Sequence, residues 1–266
     1  MDKTSLVGII LGIVVLVGGM VLKGSEPAAL VNPAALLIIL GGTVAALLNA
    51  FPFYEIKKIP ALFKVLFTSQ KLISIKELIP IFTEWASVAR REGLLALEAK
   101  AEEVEDPFLQ RGLQMIVDGQ SPEMVRDMLE EEIAAMEDRH EVGAKIFSQA
   151  GTYAPTLGVL GAVIGLVAAL GHLEDVALLG KSIAAAFIAT LFGIFTGYVL
   201  WHPFANKLKR KSQEEAKIKQ IMVEGLLAVQ EGVSSRLVEE KLLTYLPANE
   251  RILEVEREEG ARVEAF

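Results

Sequence analysis

The stretch APTLGVLGAVIGLVAALG, from Ala154 to Gly171, decides the fold of this chain. It contains no charged side chain, and it is long enough for a helix that crosses the hydrocarbon core of a bilayer. It also contains Pro155 and four glycines, at positions 158, 161, 165 and 171. Helices in lipid associate through close contact between small residues, because no hydrophobic drive holds them together there. The stretch therefore predicts a membrane helix built for close packing.

Three further stretches have the same length and apolar character, and none of the four contains Asp, Glu, Lys or Arg. The four predicted spans are Leu6–Leu22, Pro33–Phe51, Ala150–Gly171 and Ser182–Trp201. The first is read as a retained span, because only five residues precede it and no small-residue cleavage site follows. Pairs of small residues four positions apart predict packing within the membrane. These pairs are Gly8 with Gly12, Gly161 with Gly165, and Gly193 with Gly197.

Positive charges collect after the second and fourth spans. The residues concerned are Lys57, Lys58, Lys64 and Lys71, followed by Lys207, Lys209, Arg210 and Lys211. The two remaining connections, about 23–32 and 172–181, hold one lysine each. The positive-inside rule therefore predicts that both termini and both long polar segments lie in the cytoplasm.

These patterns predict an all-α membrane protein with four transmembrane helices. Its helical cytoplasmic domain is formed by the loop between spans two and three together with the C-terminal segment. The predicted parts are 1–51 (spans one and two), 52–149 (cytoplasmic domain), 150–203 (spans three and four) and 204–266 (C-terminal helix and tail). Ser121 followed by Pro122 predicts a helix start. The segment from Asn249 on predicts a short helix or partial disorder.

Composition excludes several classes of function. The chain has no cysteine, three histidines far apart in sequence and a net charge of −8. We therefore expect no metal centre, no cofactor and no nucleic-acid partner. No nucleophile–base pair, nucleotide fingerprint or P-loop points to an enzyme. An ion path normally leaves ionisable groups inside the membrane. Because these spans have none, either the chain carries no ions or a second protein supplies the acid.

Four blocks of the sequence, in order, resemble the MotA/PomA family of flagellar motor stator subunits, and MotA most closely. They are VARREGLLALE (88–98), APTLGVLGAVIGLVAALG (154–171), IAAAFIATLFGIFTGYVLWHPFANKLK (183–209) and VEGLLAVQEGVSSRLVEEKL (223–242). The layout of four spans with one large polar loop matches the family as well. The resemblance covers essentially the whole chain.

The resemblance implies a bacterial inner-membrane protein of the flagellar basal body. Such proteins form a ring, implied to be a pentamer, around two copies of a single-span partner, MotB. That partner carries the ion-accepting aspartate and binds peptidoglycan. Ion passage moves the ring, and its cytoplasmic domain acts on the rotor switch protein FliG. A span without charged side chains, such as 154–171, would then pack against the partner's helix and let it move.

The resemblance also implies roles for single residues in the ion pathway. Pro155 and Pro203 match the two functional prolines of the family, at the start of span three and the end of span four. Thr190 matches the threonine that faces the partner's aspartate. Ala162 and Ala189 stand where sodium-type relatives carry threonines. Because a methyl group offers no oxygen ligand, this favours H+ over Na+ as the transported ion.

Arg90 and Glu98 match the charged pair of the family that contacts the rotor. They would lie at similar azimuth on an unbroken helix, but Gly93 is expected to interrupt it. Without the resemblance, both would be read as solvated surface charges. The competing hypotheses are an energiser of the TolQ/ExbB type, which is a distant relative that usually has three spans, and a membrane scaffold without ion coupling.

Overall fold

The computed structural model describes residues 3–251, and these residues form helices with no β-strand. The α-helices in chain order are α1 (Lys3–Leu22), α2 (Pro33–Leu36), α3 (Gly42–Ala50), α4 (Phe53–Ile56), α5 (Ile59–Phe67), α6 (Ile75–Glu92), α7 (Glu98–Glu103), α8 (Pro107–Val117), α9 (Pro122–Leu170), α10 (Val176–Phe195), α11 (His202–Gln230) and α12 (Ser235–Leu243). The predicted all-α fold is confirmed. Of the predicted tail helix, the part beyond residue 251 lies outside the described residues.

Four helical stretches are long and apolar enough to cross a membrane, and the second is interrupted at residues 31–32. They are Lys3–Leu22, Pro27–Ala50, Pro122–Leu170 and Val176–Gln230. The four predicted spans are therefore confirmed by length and composition. The last two stretches extend far beyond the apolar sequence. The fourth continues through α11, as its helical periodicity predicted.

Two π-helical segments interrupt the regular α-helical pattern of these stretches. Leu37–Gly41 lies between α2 and α3, and Thr196–Trp201 lies between α10 and α11. In the second segment the His202 N–H donates to the carbonyl of Gly197, five residues earlier. Each π-helical segment widens the helix locally and changes the direction of the side chains that follow.

Helix starts follow local capping rules. The Ser74 hydroxyl accepts from the Glu77 N–H, and the Glu77 carboxylate accepts from the Ser74 N–H, which is a capping box. That hydrogen bond from the Ser74 backbone holds the pKa of Glu77 below its ordinary value. The Ser121 hydroxyl accepts from the Met124 N–H at 3.3 Å, and α9 begins at Pro122. The predicted start of this helix is confirmed.

The chain divides into two compact units. The first, called the spanning unit, contains the described residues up to Gln70 and Asp138–Ser212. The second, called the polar unit, contains Lys71–Glu137 and the described residues from Gln213 on. These boundaries follow contacts between residues, whereas the predicted boundaries at 51, 149 and 203 follow the membrane. The predicted boundaries therefore stay a prediction.

In the spanning unit, α5 packs against α9 and α11 through aromatic rings. The ring of Phe63 meets that of Phe147 edge-on, with centroids 5.2 Å apart. The buried Lys211 donates from Nζ to the carbonyls of Val65 and Thr68, each at 2.6 Å, at the end of α5. Because a cation at a helix C-terminus satisfies unpaired carbonyls, Lys211 fixes the end of α5.

In the polar unit, one large apolar core joins α6, α8 and α12 to the polar-unit parts of α9 and α11. Phe82 and Trp85 of α6 are buried there and meet edge-on, with ring centroids 5.4 Å apart. Gly225 of α11 allows the ring of Phe82 to approach, since an added Cβ atom would lie 2.6 Å from it. This packing places α6 firmly within the unit.

The carboxylate of Glu224 joins three helices of the polar unit. It accepts from Arg126 of α9 at 2.9 Å and from Lys241 of α12 at 2.6 Å. Burial acts to raise the pKa of Glu224, but the hydrogen bonds and charges of Lys241 and Arg126 outweigh it and hold the pKa below its ordinary value. The native state therefore favours the ionised carboxylate.

We predict that Glu224→Gln lowers the free energy of unfolding by about 1–3 kcal/mol at neutral pH, because Arg126 and Lys241 lose their anion. A lowered native pKa stabilises the fold above the ordinary glutamate value of 4.5 and loses this effect as the pH falls through the native value. Thermal unfolding of the full chain in detergent, at neutral and at acidic pH, measures both effects.

The matched control is Glu240→Gln, which breaks an exposed pair between Arg236 and Glu240 within one helix. Such a pair contributes about 0.5 kcal/mol or less. If the Glu224 variant unfolded with the control, or if its deficit did not shrink in acid, the role assigned to this carboxylate would be wrong.

Candidate functional site

Spans three and four meet along a line of small residues on α9 and α10, which we call the seam. The contacting positions run in opposite order along the two helices. From one end to the other they pair Gly151 with Gly197, Gly158 with Gly193, Gly161 with Ala189, and Gly165 with Ala186. The two helices are therefore antiparallel, and residues without large side chains form the contact between them.

At the middle of the seam, the two backbones touch. A Cβ atom added to Gly158 would lie 2.9 Å from the carbonyl oxygen of Ala189 and 2.9 Å from the Cα atom of Gly193. A Cβ atom added to Gly193 would lie 2.7 Å from the carbonyl oxygen of Ala154. Backbone atoms cannot rotate away as side chains do. Glycine at both positions is therefore required by the separation of the helices.

Pro155 belongs to this seam. Its ring lies against Gly197, where an added Cβ atom would be 2.8 Å from the proline Cγ atom and 2.8 Å from the Gly151 carbonyl oxygen. Because proline has no N–H, it removes the helical donor that this same carbonyl would have four residues later. The freed carbonyl oxygen of Gly151 lies close to the Cα atom of Gly197 in the opposite helix, where a weak C–H···O contact can form. The proline thus helps to join the two spans.

Pro203 lies in the first turn of α11, and its side chain is exposed. The π-helical segment Thr196–Trp201 directly precedes it. Proline has no N–H, so one backbone hydrogen bond of the helix is lost at Pro203. The helix adjusts its hydrogen bonds there, and the preceding turn has the π-helical pattern. The structure does not place Pro203 at the seam.

Thr190 and Ala162 lie on one side of the seam. Each immediately follows a contacting residue, Ala189 and Gly161 respectively. Successive helical residues are turned by 100°, and in an antiparallel pair the next residue of each helix turns to the same side. Both side chains are half-buried. The structure shows no hydrogen bond of the Thr190 hydroxyl to another atom of residues 3–251.

The same geometry gathers a row of side chains around these two, which we call the seam face. Its members are Thr152, Val159, Ala162 and Leu166 of α9, Phe187, Thr190 and Ile194 of α10, and Tyr198 of the π-helical segment Thr196–Trp201. All are exposed or half-buried, and none carries a charge at neutral pH. The seam face therefore offers an apolar surface with a few hydroxyl groups.

Arg90 and Glu98 lie in the polar unit, on either side of a break. The break occurs at Gly93, which ends α6 with a positive φ of 87°. Both side chains are exposed, and neither makes an ion pair or hydrogen bond with any part of the chain that the structure describes. Exposed charges without partners are free to pair with another protein. The predicted interruption at Gly93 is confirmed.

Lys100, which lies near Glu98 in the sequence, does form ion pairs within the polar unit. Lys100 contacts Glu84 at 3.1 Å and Glu103 at 3.1 Å. The hydrogen bond to Glu84, followed by that to Glu103, raises the pKa of Lys100. This lysine therefore holds α6 and α7 together, whereas Arg90 and Glu98 do not contribute to that contact.

The family resemblance indicated Pro155, Ala162 and Thr190 for the ion pathway, and the structure places them in or beside the seam. The sequence analysis missed the central role of Gly158. Of the predicted glycine pairs, Gly161/Gly165 and Gly193/Gly197 pack in the seam. A Cβ atom added to Gly12 would meet the side chain of Val199, whereas a Cβ atom added to Gly8 would have no other atom within 4 Å. The spacing of small residues alone could have indicated Gly158, since Ala154, Gly158, Gly161 and Gly165 continue one row.

Two family models match the chain. One describes the MotA/TolQ/ExbB proton channel family and matches residues 100–221. The other describes the N-terminal part of motility protein A and matches residues 6–93. Together they cover both units. Within the described residues, no group of three or more histidine or carboxylate side chains could hold a metal ion.

Relatives match along nearly the whole length. Motility protein A of Bacillus subtilis (strain 168) is 63% identical over 260 residues, which is 98% of this chain and 96% of the relative. The solved flagellar MotAB stator complex from Bacillus subtilis matches with a TM-score of 0.90 and 64% identity, over 94% of this chain and 98% of the other. The solved C. jejuni MotAB matches with a TM-score of 0.87 and 30% identity, over 93% and 97%.

We predict that Gly193→Ala destabilises the spanning unit by about 1–3 kcal/mol, because the added methyl group meets backbone atoms. The measurement is the thermal unfolding of the full chain in detergent, together with its amount in membranes. Gly180→Ala, on the same helix with nothing within 4 Å, is the matched control. Equal stability of the two variants would contradict the tight seam.

Proposed function

Because this chain belongs to the MotA/TolQ/ExbB proton channel family, as a relative of motility protein A, we propose that it works as a flagellar stator subunit coupling ion flow to torque. The observation that carries the proposal is the 63% identity to motility protein A over 98% of the chain. One charge that crosses 100 mV releases about 2.3 kcal/mol, so many ions can drive mechanical work without ATP.

The uncharged spans support a division of labour with a second protein. A proton path through a membrane normally contains carboxylate, lysine, arginine or histidine side chains, and the seam face has none of these. The acid would therefore come from a single-span partner of the MotB type, and the two matching solved structures are MotAB assemblies. Its helix would lie on the seam face, where Thr190 presents a hydroxyl that bonds to no other part of the chain that the structure describes.

The transported ion is proposed to be H+. Ala162 and Ala189 offer methyl groups at positions where oxygen ligands would favour Na+. Ala189 is buried in the seam against Gly161, so a larger side chain there would collide with the other span. Na+ is the alternative, and it would have to rely on the partner and on Thr190 for its ligands.

The rest of the assembly is proposed from the resemblance. Several copies, implied to be five, form a ring in the inner membrane with both termini in the cytoplasm. The polar unit then acts on the rotor switch protein FliG. Its free charges Arg90 and Glu98 are suited to this contact, because exposed charges set partner choice and register more than stability.

The alternative function, an energiser of the TolQ/ExbB type, shares the proton channel family model. The second family model separates the two, because residues 6–93 match the N-terminal part of motility protein A. The four candidate spans agree with this assignment. The stator function is therefore the better supported of the two.

The test is swimming together with flagellar counts in a strain that lacks only this gene. We expect flagellated, paralysed cells that recover when the gene is restored. Cells that swim normally, after any redundant stator genes are also deleted, would overturn the proposal. Speed of the restored strain in sodium-free medium then tests the ion, and paralysis there would indicate Na+.

We predict that Thr190→Ala slows rotation about fivefold, because a hydrogen bond of about 1 kcal/mol to the ion or its carrier is lost. Rotation of tethered cells measures this effect. Thr190→Ser keeps the hydroxyl and is the matched control, and it should rotate near the wild-type speed. Unchanged membrane levels would show that assembly survives in both variants. Wild-type torque in the alanine variant would contradict the assigned role.

We predict that Arg90→Glu or Glu98→Lys weakens rotor engagement and leaves ion conduction intact. Recruitment of a fluorescently tagged chain to motors measures the first effect, and proton uptake by vesicles that hold the full complex measures the second. Lys217→Glu, another exposed charge of the polar unit, is the control and should leave both unchanged. Lost conduction with normal recruitment would show that the pair does not contact the rotor.

A further inference from the structure

The seam of spans three and four ends at a histidine, which the proposed function does not use. His202 directly follows Trp201, the last residue of the predicted fourth span, and it begins α11. Its ring lies on Gly151 of α9, since a Cβ atom added to that glycine would be 2.8 Å from the His202 Cγ, Cδ2 and Nδ1 atoms. A titratable side chain therefore stands at the end of the seam that is proposed to face the cytoplasm.

The seam face leads to this ring. Tyr198, a member of the seam face, lies one turn before His202, and the centroids of the two rings are 5.4 Å apart. Thr152, another member, directly follows Gly151, on which the histidine ring lies. Both Tyr198 and Thr152 are exposed. Side chains with hydroxyl groups therefore lie along the seam between Thr190 and His202.

The ring nitrogens of His202 are available. They make no hydrogen bond within residues 3–251, and neither is a buried atom without a partner. The residue is half-buried, so water reaches a ring that packing holds in place. Of the two other histidines, His140 has its Nδ1 atom 3.0 Å from the Ser212 hydroxyl, and His172 lies in the connection at the opposite end of the spans. His202 is therefore the histidine suited to exchange a proton at the seam.

Few charges surround the ring. On α9 the titratable side chains nearest to the contact along the helix are Tyr153 and Lys145, and on α11 the nearest is Lys207. The Nζ atom of Lys207 donates to two hydroxyl groups of α1. Neither helix carries a carboxylate within two turns of the contact between His202 and α9. Because no nearby anion on these helices holds the proton, a protonated ring can release it.

The partner's acid is too far from His202 for direct transfer. Thr190, which is proposed to face that acid, lies about 18 Å from His202 along the helix axis. Water along the seam face must therefore carry the proton over this distance. The exposed hydroxyl of Tyr198 can hold such water, because it makes no hydrogen bond within the described residues.

We propose that His202 is the proton-releasing group of this chain, at the cytoplasmic end of the ion path. This inference rests on the proposed stator function with H+ as the ion. The O–H bond of the partner's carboxylic acid breaks, and the proton passes through water to an unprotonated ring nitrogen of His202, where an N–H bond forms. The imidazolium then gives a proton to a cytoplasmic water molecule, and the neutral ring is restored. Histidine suits both steps, because its charge ordinarily changes at roughly pH 5–8.

The competing explanation is that His202 only fills space against Gly151. A phenylalanine ring would fill this space without a nitrogen atom, so His202→Phe separates packing from proton transfer. His202→Gln removes the titrating group and keeps a polar side chain. A packing role predicts that His202→Phe behaves as the wild type, whereas a proton-releasing role predicts the same loss in both variants.

The test measures proton release from inverted membrane vesicles that contain the full chain with its MotB-type partner. The cytoplasmic face of these vesicles is outward, and an acidic lumen drives protons out through the complex. We expect both variants to lower proton release at least about tenfold at equal amounts of complex. A membrane-impermeant imidazole compound in the medium, glycyl-histidine, should restore most of the release, because it accepts the proton in place of the missing ring.

The pH dependence gives a second readout. Lowering the pH of the medium from about 8 to about 5 at constant driving force should stop release by the wild type, because the ring then stays protonated. The residual release by His202→Gln should lack this step. His140→Gln changes the histidine that contacts Ser212 outside the seam, and this control should match the wild type in rate and pH dependence.

Wild-type release by His202→Phe would overturn the proposal. A loss that glycyl-histidine does not restore would also overturn it, because altered packing alone gives that result. If the wild-type chain restores swimming only in the presence of Na+, then the proposed ion and this role of His202 are both wrong. A strain without the gene that swims normally would overturn the stator function itself, so the two failures are distinct.

Discussion

The contact between the backbones of Gly158 and Gly193 is the constraint on which the spanning unit depends. At a Cβ-to-backbone distance of 2.7–2.9 Å, neither position accepts a side chain, so the separation of spans three and four is fixed by the main chain itself. That separation brings Ala189 against Gly161 and Pro155 against Gly197. It also decides which residues turn toward the seam face. A helix pair held in this way needs no charge and no hydrogen-bonding side chain to stay together.

The scarcity of polar groups at the contact between spans three and four supports the proposed mechanism. Thr190 and Ala162 lie beside the tightest contact, on a surface without charge, so a foreign helix that carries an acid would meet little that could bind its charge permanently. The hydroxyl of Thr190 is free to interact with that acid or its ion. Pro155 serves the same contact from within the helix, because the carbonyl that it frees approaches Gly197. The residues proposed for ion transfer therefore lie in or beside the contact that packs the two spans.

The polar unit contains both charged side chains that are paired with each other and exposed ones that are not. Its internal charges are paired: Glu224 with Arg126 and Lys241, and Lys100 with Glu84 and Glu103. Arg90 and Glu98 stay outside these pairs, next to the turn at Gly93. Because the core around Phe82 and Trp85 fixes α6, Arg90 is presented from a stable support.

The sequence by itself determined the four spans, the all-α class, the start of α9 at Pro122 and the break at Gly93, because apolar length, capping residues and glycine act locally. The resemblance of four sequence blocks indicated Pro155, Thr190, Arg90 and Glu98. Only the tertiary structure decided that Gly158 meets Gly193 and that a Cβ atom added to Gly8 would meet no other atom. These facts depend on how helices distant in sequence approach each other. That approach is set by the sum of many contacts, so no local pattern reports it.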